Sequence, residues 1–173
     1  MNAVTESEVK AYHEAGHAFG FHAAGIPVKS LELDKCTLSC EYEQKLNQAQ
    51  VTEIVKRETL LQRAIACCCG KASVDRWYGY RMQEEPNWKA SDDHAQAFSC
   101  ALQLSDGDHT AAEFLVSYAM RMAELLVEKN WSQISRLSFE LLERNKLSGP
   151  EIWHLMKFNG SRLESSKVSQ WRS

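Results

Sequence analysis

The chain has 173 residues, of which 44% are hydrophobic and 25% are charged, and its formal net charge is −3. This composition is typical of a globular protein, and the length predicts one domain over residues 1–160 with a polar C-terminal tail over 161–173. A slightly acidic chain without a basic face is not expected to bind nucleic acid. No apolar run is long enough to span a membrane, and the acidic N-terminus does not look like a secretory signal, so we expect a cytoplasmic protein.

The apolar periodicity predicts a mainly helical α+β domain with one small β-hairpin near the N-terminus. Thr5 is the expected N-cap of a helix over residues 6–24, which ends before a Gly-Ile-Pro sequence. Alternating residues at 28–34 and 37–42 predict the two strands of the hairpin. A long helix is expected over 51–78, followed by a loop over 79–89 that contains Gly, Pro and Asn.

Four more helices are expected in the second half of the chain. Ser91 is a good N-cap for a helix over 92–104, and residues 105–108 form a clear break. Thr110 and Glu113 match a capping box that opens a helix to about residue 130. Ser132 is the expected cap of the next helix, which ends near residue 145. A short last helix starts at residues 148–151, where proline occupies an allowed first-turn position.

Cysteine and tryptophan are both assigned to packing. The six cysteines include three consecutive ones at 67–69, which do not suit a disulfide framework, so reduced, buried thiols are expected. Cys36 and Cys40 lack two further ligands at a suitable spacing for a second zinc site. Trp77, Trp131 and Trp153 are expected to pack in the core or between helices.

Residues 13–17 read His-Glu-Ala-Gly-His within the first predicted helix. Histidines four residues apart lie on one helix face, so both imidazoles can reach one zinc ion. Glu14 is then placed to act on a zinc-bound water, first as general base and then as general acid toward the leaving amine. The pattern therefore predicts a zinc-dependent metalloendopeptidase with a polypeptide substrate, in which His13 and His17 bind the metal.

A zinc site needs a third protein ligand, and spacing alone leaves several candidates. His22 lies one residue before the position that the extended three-histidine pattern requires, so we exclude it. Glu53 and Glu58 are at plausible positions, and Asp92 and Asp93 open a predicted helix far along the chain. A carboxylate in a first helical turn is also a normal partner of the helix dipole.

Several segments outside the motif follow the pattern of a known family. They are residues 11–18 (AYHEAGHA), 27–33 (PVKSLEL), 70–75 (GKASVD) with Tyr78-Gly79, 90–93 (ASDD), 123–126 (AELL) and 147–152 (LSGPEI). Together they resemble the peptidase domain of the FtsH-type, ATP-dependent zinc metallopeptidases, from the active-site helix to the C-terminal helices. The resemblance covers most of the chain from residue 11 to residue 152.

This resemblance implies an FtsH-like peptidase fold and makes Asp93 the third zinc ligand, with Asp92 where the family usually has asparagine. The family joins this domain to an ATPase module and usually to membrane helices, and neither is found in this sequence. We therefore expect a stand-alone zinc peptidase, with an ATPase or unfoldase acting in trans as a candidate partner. Whether the chain forms a homo-oligomer stays open. The alternative is a non-catalytic, zinc-stabilised binding or regulatory module, which would not need Glu14.

Overall fold

The computed structural model describes residues 5–38, 53–79 and 91–157. These residues form a mainly helical fold with one small antiparallel sheet, as predicted. The elements are α1 (Glu6–Ala23), β1 (Val28–Glu32), β2 (Lys35–Leu38), α2 (Glu53–Tyr78), α3 (Asp92–Leu104), α4 (His109–Lys129), α5 (Trp131–Arg144), β3 (Lys146–Ser148) and α6 (Gly149–Lys157). Most of the predicted 79–89 loop, the end of the second predicted strand and the C-terminal tail lie outside the described residues. Within the described ranges, no helix has the length and apolar character needed to cross a bilayer.

The sheet has three strands, in the order β2-β1-β3, where the sequence predicted only a hairpin. The hairpin itself is present, but β2 begins two residues earlier than expected. The additional strand, β3, pairs antiparallel with β1, so that Leu31 lies opposite Leu147. Both leucines are fully buried, which shows that this pairing contributes to the core. Three residues are too few to show a period-2 pattern, and for this reason β3 was missed.

Two of the predicted helix caps are correct and two are wrong. Thr5 caps α1 in a capping box, and the Ser91 side chain accepts a hydrogen bond from the N–H of His94 at the start of α3. The predicted capping box at Thr110 is wrong, because the Asp108 side chain accepts from Ala111 and α4 begins at His109. Ser132 is not the cap of α5, because Asn130 ends α4 and directly starts the next helix.

The first two helices approach each other closely because small residues line their contact. A Cβ atom at Gly16 would collide with the backbone carbonyl oxygen of Cys69 and with the Ser73 hydroxyl. A Cβ atom at Gly20 would lie 2.8 Å from the Cys69 sulfur and 2.9 Å from the Ala66 Cα. The described thiols on α2, Cys67 to Cys69, are free and buried, as expected. The close approach sets the position of α1 against α2.

Tyr12, the residue before His13 on α1, packs in an aromatic stack with two tryptophans. The ring of Tyr12 stacks on Trp77 of α2 at 4.7 Å and on Trp131 of α5 at 5.4 Å, with near-parallel planes. The Arg76 guanidinium lies 5.0 Å from the Trp131 ring. The prediction that these two tryptophans pack between helices is therefore confirmed. It is wrong for Trp153, whose surface is 49% exposed.

Replacement of Gly16 by alanine is expected to destabilise the fold by about 2–3 kcal/mol, because the added methyl group meets backbone that cannot move aside. Ser73→Ala provides the contrast in the same contact. The buried Ser73 hydroxyl has no hydrogen-bond partner among the described residues, so its removal is expected to be nearly neutral. Urea unfolding measures both changes. Equal stabilities for Gly16→Ala and the wild type would contradict the close packing of α1 on α2.

Candidate metal centre

His13 and His17 lie on a face of α1 that meets Asp93 of α3, and His17 also contacts Ala66 of α2. His17 is buried, while His13 and Glu14 are half-buried. Asp93 lies in the first turn of α3, and the side chain of Ser91 caps this helix. The fold brings Asp93 to the histidines although 76 residues separate it from His17.

Three potential ligand atoms converge on one point. The Asp93 Oδ2 atom lies 3.0 Å from His13 Nε2 and 3.1 Å from His17 Nε2. The two Nε2 atoms are themselves 3.0 Å apart. These three residues form the one group of metal-binding side chains found among the described residues. We call His13, His17 and Asp93 the His-Asp cluster.

A backbone carbonyl on α2 fixes the orientation of one imidazole. The Nδ1–H of His17 donates a hydrogen bond to the carbonyl oxygen of Ala66 at 3.1 Å. With its proton on Nδ1, the ring presents the lone pair of Nε2 to His13 and Asp93. Hydrogen bonds of this kind set the tautomer of metal-binding histidines and hold the ring in position.

Gly70 of α2 provides the space in which the same imidazole lies. A Cβ atom at Gly70 would overlap His17 Nε2 and would lie 2.7 Å from His17 Cδ2. A glycine in the middle of a long helix is unfavourable by about 1 kcal/mol relative to alanine, so a specific contact must justify it. The contact here is with the edge of the ring that carries the ligand nitrogen.

The charges at the cluster favour an ionised aspartate. Burial alone would raise the pKa of Asp93, but the imidazoles of His13 and His17, when protonated, interact with its carboxylate and bring that pKa well below its usual range. Burial also raises the pKa of Glu14 to about 7, with a further contribution from Asp93 and opposition from His13 and from the nearby backbone N–H of Cys36. The His-Asp cluster thus consists of one carboxylate and two imidazoles at a partly buried site.

This donor set suits zinc. Two imidazole nitrogens and one carboxylate oxygen are a common catalytic set, which leaves a position for water or substrate. In a tetrahedral site with bonds of about 2.0–2.1 Å, ligand atoms are about 3.3 Å apart, close to the separations in the cluster. The hydrogen bond of His17 uses Nδ1, and Gly70 leaves space beside the ring, so Nε2 stays available to bind a metal. The residues therefore fit the metal, and their role as zinc ligands stays a prediction.

Other residues considered from the sequence lie elsewhere. His22 lines a separate cavity with Pro27 and Trp153. Asp92 is exposed. Glu58 is exposed and accepts a hydrogen bond from Gln62, and the side chain of Glu53 lies outside the described part of the chain.

Sequence reasoning missed three features that support the cluster. The Ala66 carbonyl and the Cys36 N–H belong to the backbone, so no residue type could reveal them. Gly70 belongs to the 70–75 segment that resembles the family, and the resemblance assigns it no role. A glycine inside an otherwise strong helical pattern is nevertheless a signal of close packing in the sequence.

Gly70→Ala is expected to weaken zinc binding by about 10–100-fold, the range typical of lost support around metal ligands. Alanine is the better helix former, so propensity alone would predict a more stable α2. Competition with a chromophoric chelator measures the affinity, with Ser73→Ala as the control on the same helix. An unchanged zinc affinity would show that the contact between Gly70 and His17 does not shape the site.

Comparison with models of known protein families gives no match for this chain, and no curated protein matches it either. The case for the cluster therefore rests on its own geometry. The FtsH-like fold and the peptidase activity that the resemblance implies remain predictions.

Proposed function

We propose that the chain is a zinc-dependent metalloendopeptidase in which His13, His17 and Asp93 hold the metal and Glu14 is the catalytic acid and base. One observation carries this proposal: the ligand atoms of two histidines on α1 and one aspartate on α3 lie within about hydrogen-bonding distance of one another. Glu14 stands beside them, close enough for charge interactions with His13 and Asp93. A purely structural site would not need this glutamate.

The positions of the side chains and backbone groups indicate the role of each in the reaction. The Glu14 carboxylate accepts a proton from the attacking water and later delivers it to the leaving amine. The backbone N–H of Cys36 lies near that carboxylate and favours its ionised form, and the Ala66 carbonyl holds His17. Zinc, when bound, would polarise the scissile carbonyl and lower the pKa of water.

An extended polypeptide fits the surroundings of Glu14. In the described part of the sheet, β2 is an outer strand, paired with β1 on one side. Cys36 of β2 is close enough to Glu14 for its backbone N–H to lower the pKa of that carboxyl group. An outer strand offers backbone groups to an extended peptide, which supports a polypeptide substrate.

Cleavage of fluorescein-labelled casein, an unfolded substrate, tests the proposal. Zinc-loaded protein is expected to release fluorescent peptides, to stop when a chelator is added and to recover with zinc. His17→Ala is expected to abolish cleavage, whereas His109→Ala is the matched control, because this exposed histidine at the start of α4 lies outside the cluster. If the protein binds zinc and leaves casein intact, the peptidase proposal fails and a zinc-stabilised binding module becomes the better account.

A further inference from the structure

A cavity lies away from the His-Asp cluster, where the end of α1 and the start of β1 meet α6. Its volume is about 680 Å³, within the range of ligand pockets. Pro27, Val28, Pro150, Ile152 and Trp153 provide an apolar and aromatic lining. Because half of the Trp153 surface is exposed, the described residues leave part of this aromatic side chain accessible to a ligand. We call this cavity the α6 groove.

Lys29 provides a positive charge in the lining of the α6 groove. The imidazoles of His22 and His154 also line it, burial lowers the pKa of His22 and so favours its neutral ring, and none of the described lining residues is acidic. The ammonium group of Lys157 lies 3.5 Å from the centre of the Trp153 ring, which adds a positive charge beside the aromatic surface. An acidic ligand is therefore electrostatically complementary to this cavity.

A local irregularity of the sheet places Lys29 at the groove. Val28 pairs with Leu38 and Ser30 pairs with Thr37, so β1 has one extra residue, Lys29, at a register shift. Bulges of this kind redirect a side chain and are frequent beside functional sites. Here the redirected residue is an exposed lysine that lines the cavity.

We propose that the α6 groove is a second binding site, for an extended acidic peptide segment whose carboxylates flank an apolar or aromatic side chain. The apolar side chain contacts the prolines and Trp153, and the carboxylates pair with Lys29 and Lys157. The C-terminal residues 158–173 do not have this chemistry, because they contain three basic residues and one acidic residue. The site is independent of the proposed peptidase activity.

Fluorescence anisotropy with a labelled acidic peptide, Asp-Asp-Leu-Phe-Glu-Glu, tests this site on the full chain. Saturable binding is expected, and Lys29→Glu and Trp153→Ala are each expected to weaken it by at least about tenfold. Lys129→Glu, a charge reversal at the distant end of α4, is expected to leave the affinity within about twofold. Binding is also expected to weaken at about 0.5 M sodium chloride, because the ion pairs are exposed.

Three results would overturn the proposal. The first is an absence of saturable binding, and the second is equal affinity for the neutral peptide Asn-Asn-Leu-Phe-Gln-Gln. The third is peptide binding that survives Lys29→Glu and Trp153→Ala but is lost in Asp93→Ala. That pattern would place the peptide at the His-Asp cluster. Retained peptide binding in Asp93→Ala supports the α6 groove whatever the outcome of the casein assay.

Discussion

Glu14→Gln is expected to lower the rate of casein cleavage by about 10²–10⁴-fold, the usual contribution of a general acid or base. The neutral amide keeps the shape of the side chain but cannot accept the proton of the attacking water. The zinc content is expected to stay near that of the wild type, because Glu14 is not one of the three converging ligands. Activity and metal content are therefore expected to separate in this variant.

The matched control is Glu6→Gln, a second glutamate on α1 that is exposed and pairs with Lys10. It is expected to cleave casein like the wild type. Wild-type turnover by Glu14→Gln would remove Glu14 from the mechanism. A parallel loss of zinc and activity would show that Glu14 holds the site together rather than moving protons.

Asp93→Ala is expected to weaken zinc binding by at least about 100-fold, because it removes one of three ligands. Asp92→Ala is an unusually close control, since both residues lie in the first turn of α3 and carry the same charge. Only Asp93 faces the histidines, while Asp92 is exposed. A simple loss of charge at the helix N-terminus would affect both variants alike.

Thermal unfolding with and without zinc measures the same difference through stability. A metal that binds only the folded chain raises the midpoint of unfolding, so zinc is expected to raise it for the wild type and for Asp92→Ala. Zinc is expected to raise the midpoint of unfolding only slightly for Asp93→Ala. Equal zinc responses in the two variants would mean that the third ligand is another residue.

The parts of the site that local sequence could predict are those set by helix periodicity and capping. Histidines at i and i+4 must share a face, and the capping residues Thr5 and Ser91 were identified correctly because their hydrogen bonds are local. The bounds of α3 were predicted for the same reason. These features depend on residues within one or two turns of each other.

The parts that could not be predicted depend on contacts between distant segments. Spacing alone could not choose Asp93 from the other carboxylates, and the resemblance that named it was independent of geometry. β3 escaped because its three residues are held by pairing with β1 rather than by their own pattern. The support of His17 by the Ala66 carbonyl depends on the packing of α1 on α2 and has no residue signature.

Zinc K-edge X-ray absorption of the purified wild-type protein identifies the atoms that bind the metal. One zinc per chain is expected, with only nitrogen and oxygen neighbours at about 2.0–2.1 Å and an imidazole scattering pattern from two histidines. The chain has six cysteines, so the main competing site is one formed by thiolates. Sulfur neighbours are readily distinguished from nitrogen and oxygen neighbours by this method. A sulfur neighbour at about 2.3 Å, or no zinc uptake at neutral pH, would contradict a metal centre formed by His13, His17 and Asp93.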